Sequence, residues 1–261
     1  MKLVTFAMLI ALAALPAGAQ SFWPEGKTAA IVLTYDDAMS SQLDVAVPQL
    51  AAAGFKGTFF LSGGMAPDYM RRWRDVQRNG HELGNHSLFH PCPKSILPDR
   101  PLYSTETYDV DRMLLEIAIM NSLLYGIDGQ EKRNYSAPCS QMQVGGVDYT
   151  EALRRTGVFK HLRTGGDQFN SVVTDFKALD TFKVPSWGPT DSPNGPQLIA
   201  YVERVRAAHG LGVLQFHGVG GQYLSVSADA HGKLLAHLVT HPDVWVAPFG
   251  EVMDYVVTHS R

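Results

Sequence analysis

Short runs of apolar and β-branched residues at 29–35, 58–61, 158–162, 212–216 and 244–247 are bounded by polar or turn residues, and each predicts a buried strand; 82–84 predicts a brief one. Between them, apolar residues recur at helical spacing. The stretch 42–53 puts Leu43, Val47 and Leu50 on one face, and 107–124 does the same with Met113, Leu114, Ile117, Met120 and Leu124. Further helices are predicted at 65–78, 147–155, 196–208, 227–239 and 249–257. Gly54 and Gly80 stop the first two in chain order, and Pro196 sits in the first turn of the helix it opens. This alternation predicts an α/β domain with a mainly parallel sheet and helices outside it, as a barrel or as a doubly wound sheet. In either, chemistry gathers at the carboxyl ends of the strands. Residues 86–104 break the pattern with Pro91, Pro93, Pro98 and Pro101, and predict a long loop, of a length that is usually functional or disordered.

The amino-terminal stretch stands apart. Lys2, an apolar run from Leu3 to Leu15, and the small residues Ala17-Gly18-Ala19 have the order of a secretory signal peptide spanning 1–19 and cut before Gln20. The other reading is an uncleaved anchor, for which the apolar run is short, since a bilayer span takes about 20 residues. Residues 20–261 then form a single catalytic domain, secreted or periplasmic, with no membrane span after signal cleavage. A hydrophobic content of 45% supports a sizeable core. A net charge of −3 gives no reason to expect nucleic acid as a partner. Cys92 and Cys139 would pair in an exported chain or remain as thiols.

Three features carry candidate chemistry. In "LTYDD" the predicted first strand ends on two adjacent carboxylates, Asp36 and Asp37, which repel one another unless something cationic lies near. In "HELGNHSLFHP", His86 and His90 are four residues apart, and on a short helical turn both imidazoles would reach one ion. Two loop histidines bonded to backbone are the bland alternative; a carboxylate at another strand end favours the metal. In "VLQFHG", His217 follows a buried strand and precedes Gly218, so it too belongs at a carboxyl end.

Together these stretches resemble the motifs of the polysaccharide deacetylase family, carbohydrate esterase family 4, which carries the NodB homology domain. "TYDD" is similar to the family's Thr-Phe-Asp-Asp, "HSLFH" to its His-Ser/Thr-x-x-His, and "LQFH" to its Leu-x-x-His; the flanks "GFKGTFFLSG" and "GHELGNH" are similar as well. The resemblance implies a distorted (β/α)7-type barrel that removes acetyl groups from N-acetylated or O-acetylated sugars. It implies Asp36 as general base, Asp37, His86 and His90 as ligands of a divalent ion (zinc first, with cobalt, manganese or nickel as alternatives), and His217 as general acid. Such an ion acidifies water and polarises the acetyl carbonyl.

Two motifs depart from the family pattern. In "NYSAPCS", Ser136 stands where the family has arginine and Cys139 where it has an aromatic residue; the backbone N–H of Cys139 would still serve as oxyanion donor. In "KVPSW", Trp187 matches and Ser186 replaces an aspartate. The resemblance therefore implies a base carboxylate without its arginine and an acid histidine without its carboxylate, unless a rebuilt surrounding supplies both. Arg133, Arg163 and Asp191 are near enough in sequence to be considered. Trp187 and Phe89 are expected to stack on sugar, whereas Tyr223 is expected simply to pack. An acetyl ester hydrolase, another C–N hydrolase and a non-catalytic carbohydrate-binding protein compete with the deacetylase reading.

Overall fold

Eight consecutive residues without solvent contact, Ala29–Asp36, form strand β1 at the middle of the sheet. A strand buried on both faces needs an unbroken apolar run, and this one has it up to Thr34. The protein is described by a computed structural model over residues 21–260, so the expected signal peptide at 1–19 lies outside the described residues. After β1 come a wide helical turn at Gln42–Ala46, α1 (Val47–Ala53), β2 (Thr58–Leu61), α2 (Pro67–Arg78), β3 (Glu82–Asn85), α3 (Val110–Asp128) and β4 (Arg133–Ser136). Then follow a small hairpin of β5 (Gln143–Val144) and β6 (Val147–Asp148), α4 (Thr150–Arg155), β7 (Phe159–Arg163), α5 (Gly195–Ala207), β8 (Leu211–Phe216), α6 (Ala228–Val239), β9 (Val244–Val246) and α7 (Phe249–His259).

The main sheet is parallel throughout, in the order β7-β4-β3-β2-β1-β8. β9 lies beside the first half of β1, pairing Ala29–Ile31, while β2 pairs Thr34–Asp36. The two ends of the sheet are drawn together by 184–187. Val184 bonds into β7 through Leu162 and Thr164, and Trp187 bonds into β8 through Val213 and Gln215. The sheet thus curls into the distorted α/β barrel that the resemblance implied.

Period two sorts each strand between two environments. Ile31, Leu33 and Tyr35 face outward, packing with Leu50, Trp73, Leu198 and Leu234 from the surrounding helices. Ala30 and Val32 face inward with Phe60, Val184, Val213 and, from α7, Phe249, Val252 and Met253. The inward rows set the site: 30, 32 and 34 continue to Asp36, and 211 and 213 continue to Gln215. Two sequence expectations are corrected here. The helix expected at 147–155 begins only at Thr150, because the Gly145-Gly146 turn folds 143–148 into a hairpin. Strand β4, with "RNYS", was not expected; its alternating polar residues hide a strand whose polar side faces the barrel interior.

Candidate active site

Asp36 ends the inward row of β1 with no solvent exposure. A fully buried carboxylate requires a compensating charge, and Arg163, last residue of β7, supplies it: Nη2 lies 2.5 Å from Asp36 Oδ2. The same guanidinium donates through Nη1 to Ser186 Oγ at 2.9 Å and through Nη2 to Ser136 Oγ. Gln215 Nε2 donates to Asp36 Oδ2 at 3.0 Å, and Gln215 Oε1 accepts from Ser186 at 3.1 Å. The two serines that depart from the family pattern are therefore partners of one arginine. Their small side chains leave room for a guanidinium arriving from the neighbouring strand. Asp36 Oδ1 has no side-chain or backbone partner among the described residues.

Asp37 points elsewhere. It leaves the strand with φ 76°, a left-handed conformation rare for a residue with a Cβ. Its Oδ1 lies 3.3 Å from His90 Nε2 and 3.6 Å from His86 Nε2, and the two Nε2 atoms are 3.1 Å apart. The two histidines do not sit on a helical turn. Left-handed backbone at Ser87 (φ 61°) and His90 (φ 54°) turns the loop back so that both rings meet. Such backbone costs on the order of 1–3 kcal/mol per residue and collects at functional sites.

The donor set fits a divalent cation. His86 Nδ1 lies 2.8 Å from the Ser136 carbonyl, an acceptor only, so the ring donates there and turns its Nε2 lone pair inward. That lone pair faces the Nε2 of His90 and a carboxylate oxygen. Separations of 3.1 to 3.6 Å between these atoms resemble the edges of a tetrahedron with metal bonds of about 2.0–2.1 Å. Burial raises the Asp37 pKa, but the three histidines His86, His90 and His217, with the Tyr223 hydroxyl, outweigh it and hold the carboxyl below its ordinary value. Burial, helped by His86, pushes His90 down to about 4 against the pull of Asp37 and Asp36, so the ring is neutral at pH 7, the state that metal binding requires.

His217 sits just past β8, with Nε2 3.8 Å from Asp37 Oδ2. Burial lowers its pKa although Asp36 and Asp37 oppose this. Its Nδ1 is buried without a partner among the described residues, so nothing there replaces the carboxylate missing at Ser186. Gln42, in the wide turn after β1, donates through Nε2 to the carbonyls of Asp36 at 2.5 Å and of His217 at 3.1 Å, tying the two strand ends together.

These groups open on a cavity of about 640 Å³ lined by Asp37, His86, His90, His217, Gln215, Cys139, Tyr223 and others. Cys139 has φ 48° and forms a disulfide with Cys92, which settles the question left open by the sequence. The bond joins the loop after β4 to the loop after His90, and Cys92 Sγ lies 3.4 Å from His90 Nδ1.

Two expected sugar-stacking residues are placed differently. Trp187 is only 8% exposed and packs on Tyr201 with ring centroids 5.1 Å apart, so it belongs to the core and is not among the residues lining the cavity. Its own backbone N–H and carbonyl bond to Val213 and Gln215 of β8, closing the barrel, and the indole packs toward α5. Phe89 is exposed but lines a smaller adjacent cleft and rests near Tyr103. Tyr223, expected only to pack, is 56% exposed, lines the cavity and donates its hydroxyl to Asp37 Oδ2. Arg163, Gln215 and Gln42 are further contributors. The parity of Gln215 with the apolar inward residues Leu211 and Val213 of its strand was the available signal, and Arg163 was flagged only by its nearness in sequence. For Gln42 and Tyr223 the sequence carried none.

Fold and site define a class: a curled parallel α/β barrel with histidines and carboxylates gathered at the carboxyl ends of its strands. A sequence profile described as polysaccharide deacetylase matches residues 24–158, just over half of the chain, and the chain belongs to that family. Among solved structures it is similar to a protein from Mycobacterium smegmatis classed with the polysaccharide deacetylases, at 21% identity and TM-score 0.66, covering 90% of this chain and 92% of that one. It is also similar to a family 4 pseudoenzyme from Bacillus anthracis, at 17% identity and TM-score 0.55, covering 88% and 66%. A gellan lyase from a Bacillus species is 31% identical over 84 residues, 32% of this chain; the match spans 3% of that protein's length.

Proposed function

We propose that this chain removes acetyl groups from acetylated carbohydrate in a metal-dependent hydrolysis, outside the cytoplasm. The observation that carries this reading is the convergence of Asp37, His86 and His90 on one point beside the buried, arginine-paired Asp36. Asp37, His86 and His90 would hold a divalent ion, zinc first among the choices. When bound, that ion supplies Lewis acidity, acidifying water and polarising the acetyl carbonyl. Asp36 takes the proton of the attacking water through Oδ1, since Oδ2 is occupied by Arg163 and Gln215. The Cys139 N–H, at the cavity wall, serves the oxyanion. His217 donates a proton to the departing oxygen or nitrogen.

A second reading within the same chemistry, an acetyl ester hydrolase, draws on the unpartnered Nδ1 of His217. An alkoxide leaves with less protonation than an amine, so a poorly supported acid histidine is better matched to an ester. Acetate release from chitooligosaccharides, peptidoglycan fragments and acetylxylan, with and without a chelator, tests both readings. Release from none of them, by protein shown to contain metal, would leave a carbohydrate-binding role.

A further inference from the structure

Arg100, in the long loop after His90, lines both the main cavity and the cleft beside it. Its guanidinium is held by uncharged partners: Nη2 donates to the Phe89 carbonyl at 2.9 Å, and the group lies 5.1 Å from the Tyr103 ring centroid. No carboxylate lies within ion-pair distance of it among the described residues, unlike Arg154, Arg163 and Arg206, each of which has one. Lysine is absent from the described lining of the main cavity, and Arg100 is its one arginine. Around it the wall is largely apolar, with Ile96 and Leu97 from the same loop and Leu224 from the loop after β8. An exposed cation with no ion-pair partner, beside apolar walls, favours a ligand that brings one negative charge.

We propose that Arg100 forms a carboxylate subsite, and that the substrate is a polysaccharide of acetylated uronic acids. The proposal rests on the deacetylase reading for the reaction, but the subsite can be measured without it. Arg100 touches the sugar acid rather than the acetyl group, so its contribution is equal in ground state and transition state. Loss of such a contact raises KM and spares kcat.

Acetate release is measured on acetylated oligogalacturonides and on acetylated xylo-oligosaccharides of equal length, for wild type, Arg100→Gln and Arg100→Lys. Calorimetric binding of unacetylated galacturonide is measured in parallel. The expected result is a KM for the acidic substrate raised about tenfold or more in Arg100→Gln, little change on the neutral one, and partial recovery in Arg100→Lys. The acidic preference of the wild type should shrink as salt rises. Equal handling of both substrates by wild type, with no effect of Arg100→Gln, overturns the subsite. If no substrate loses acetate, the deacetylase reading fails, and calorimetry alone decides: Arg100-dependent galacturonide binding upholds the subsite, and its absence removes it.

Discussion

Arg163 reaches Asp36 from the end of β7, with Nη2 2.5 Å from Oδ2, and both side chains are shut off from solvent. Removing one member of a buried pair strands the other charge, so Arg163→Ser is expected to cost about 3–5 kcal/mol of stability. Acetate release should fall with it. The double variant Ser136→Arg with Arg163→Ser returns a guanidinium to the strand that carries it in the family pattern, and should recover part of both losses. Chemical denaturation and an acetate assay on the three proteins check this; a double variant no better than the single one would show that the two positions are not interchangeable sources of the cation.

The disulfide closes a loop of sequence separation 47 and spans the two loops that flank the cavity. The variant with Cys92→Ser and Cys139→Ser is expected to lose about 2–4 kcal/mol in stability. Because Cys92 also touches His90, its metal affinity, read by competition with a chromophoric chelator, should weaken as well. Unchanged affinity in a folded variant would confine the disulfide to a role in stability.

His217→Ala separates amide from ester. The amide needs its leaving nitrogen protonated, so this substitution should cost about 10²–10⁴-fold on N-acetyl substrates and much less on an activated acetyl ester. Equal losses on both would mean that His217 acts on something other than the leaving group.

Far from the cavity, His231 is buried between Tyr35, whose hydroxyl lies 2.7 Å from Nε2, and Gln49, whose Oε1 lies 2.6 Å from Nδ1. Burial drives its pKa down to about 4. The unfolded chain takes up a proton near pH 6.5 and the folded one does not, so stability is whole above about 6.5 and is lost as pH falls toward 4. Between pH 6.5 and 5 this residue alone should remove on the order of 2 kcal/mol. Denaturation midpoints of wild type and His231→Gln across that range isolate it from the other histidines; the variant should show the shallower slope, and parallel slopes would count against it.

Much of this was legible in the sequence. The β1 run, the helical stripes and the glycine stops are local signals, and local signals survive into the fold. Asp36, Asp37, His86, His90 and His217 could be placed at strand ends because parallel α/β architecture fixes where those ends point. What stayed hidden depends on contacts across the barrel. Arg163 lies 127 residues from Asp36 in the chain, and only closure of the sheet joins them. The left-handed backbone at Asp37, His90 and Cys139 is imposed by surrounding structure on residues that do not favour it. An aromatic residue in a motif-like stretch reads the same whether it faces sugar or core; for Trp187 its own backbone pairing with Val213 and Gln215 accompanies a core placement, and that too is long-range.

The most direct test combines metal content with acetate release for wild type and Asp36→Asn. The expected result is one divalent ion per chain in both proteins, held by Asp37, His86 and His90, with chelator-sensitive acetate release that falls by about 10²–10⁴-fold in Asp36→Asn. Undiminished turnover in Asp36→Asn, or full activity in protein stripped of metal, would contradict the assignment of base and metal centre.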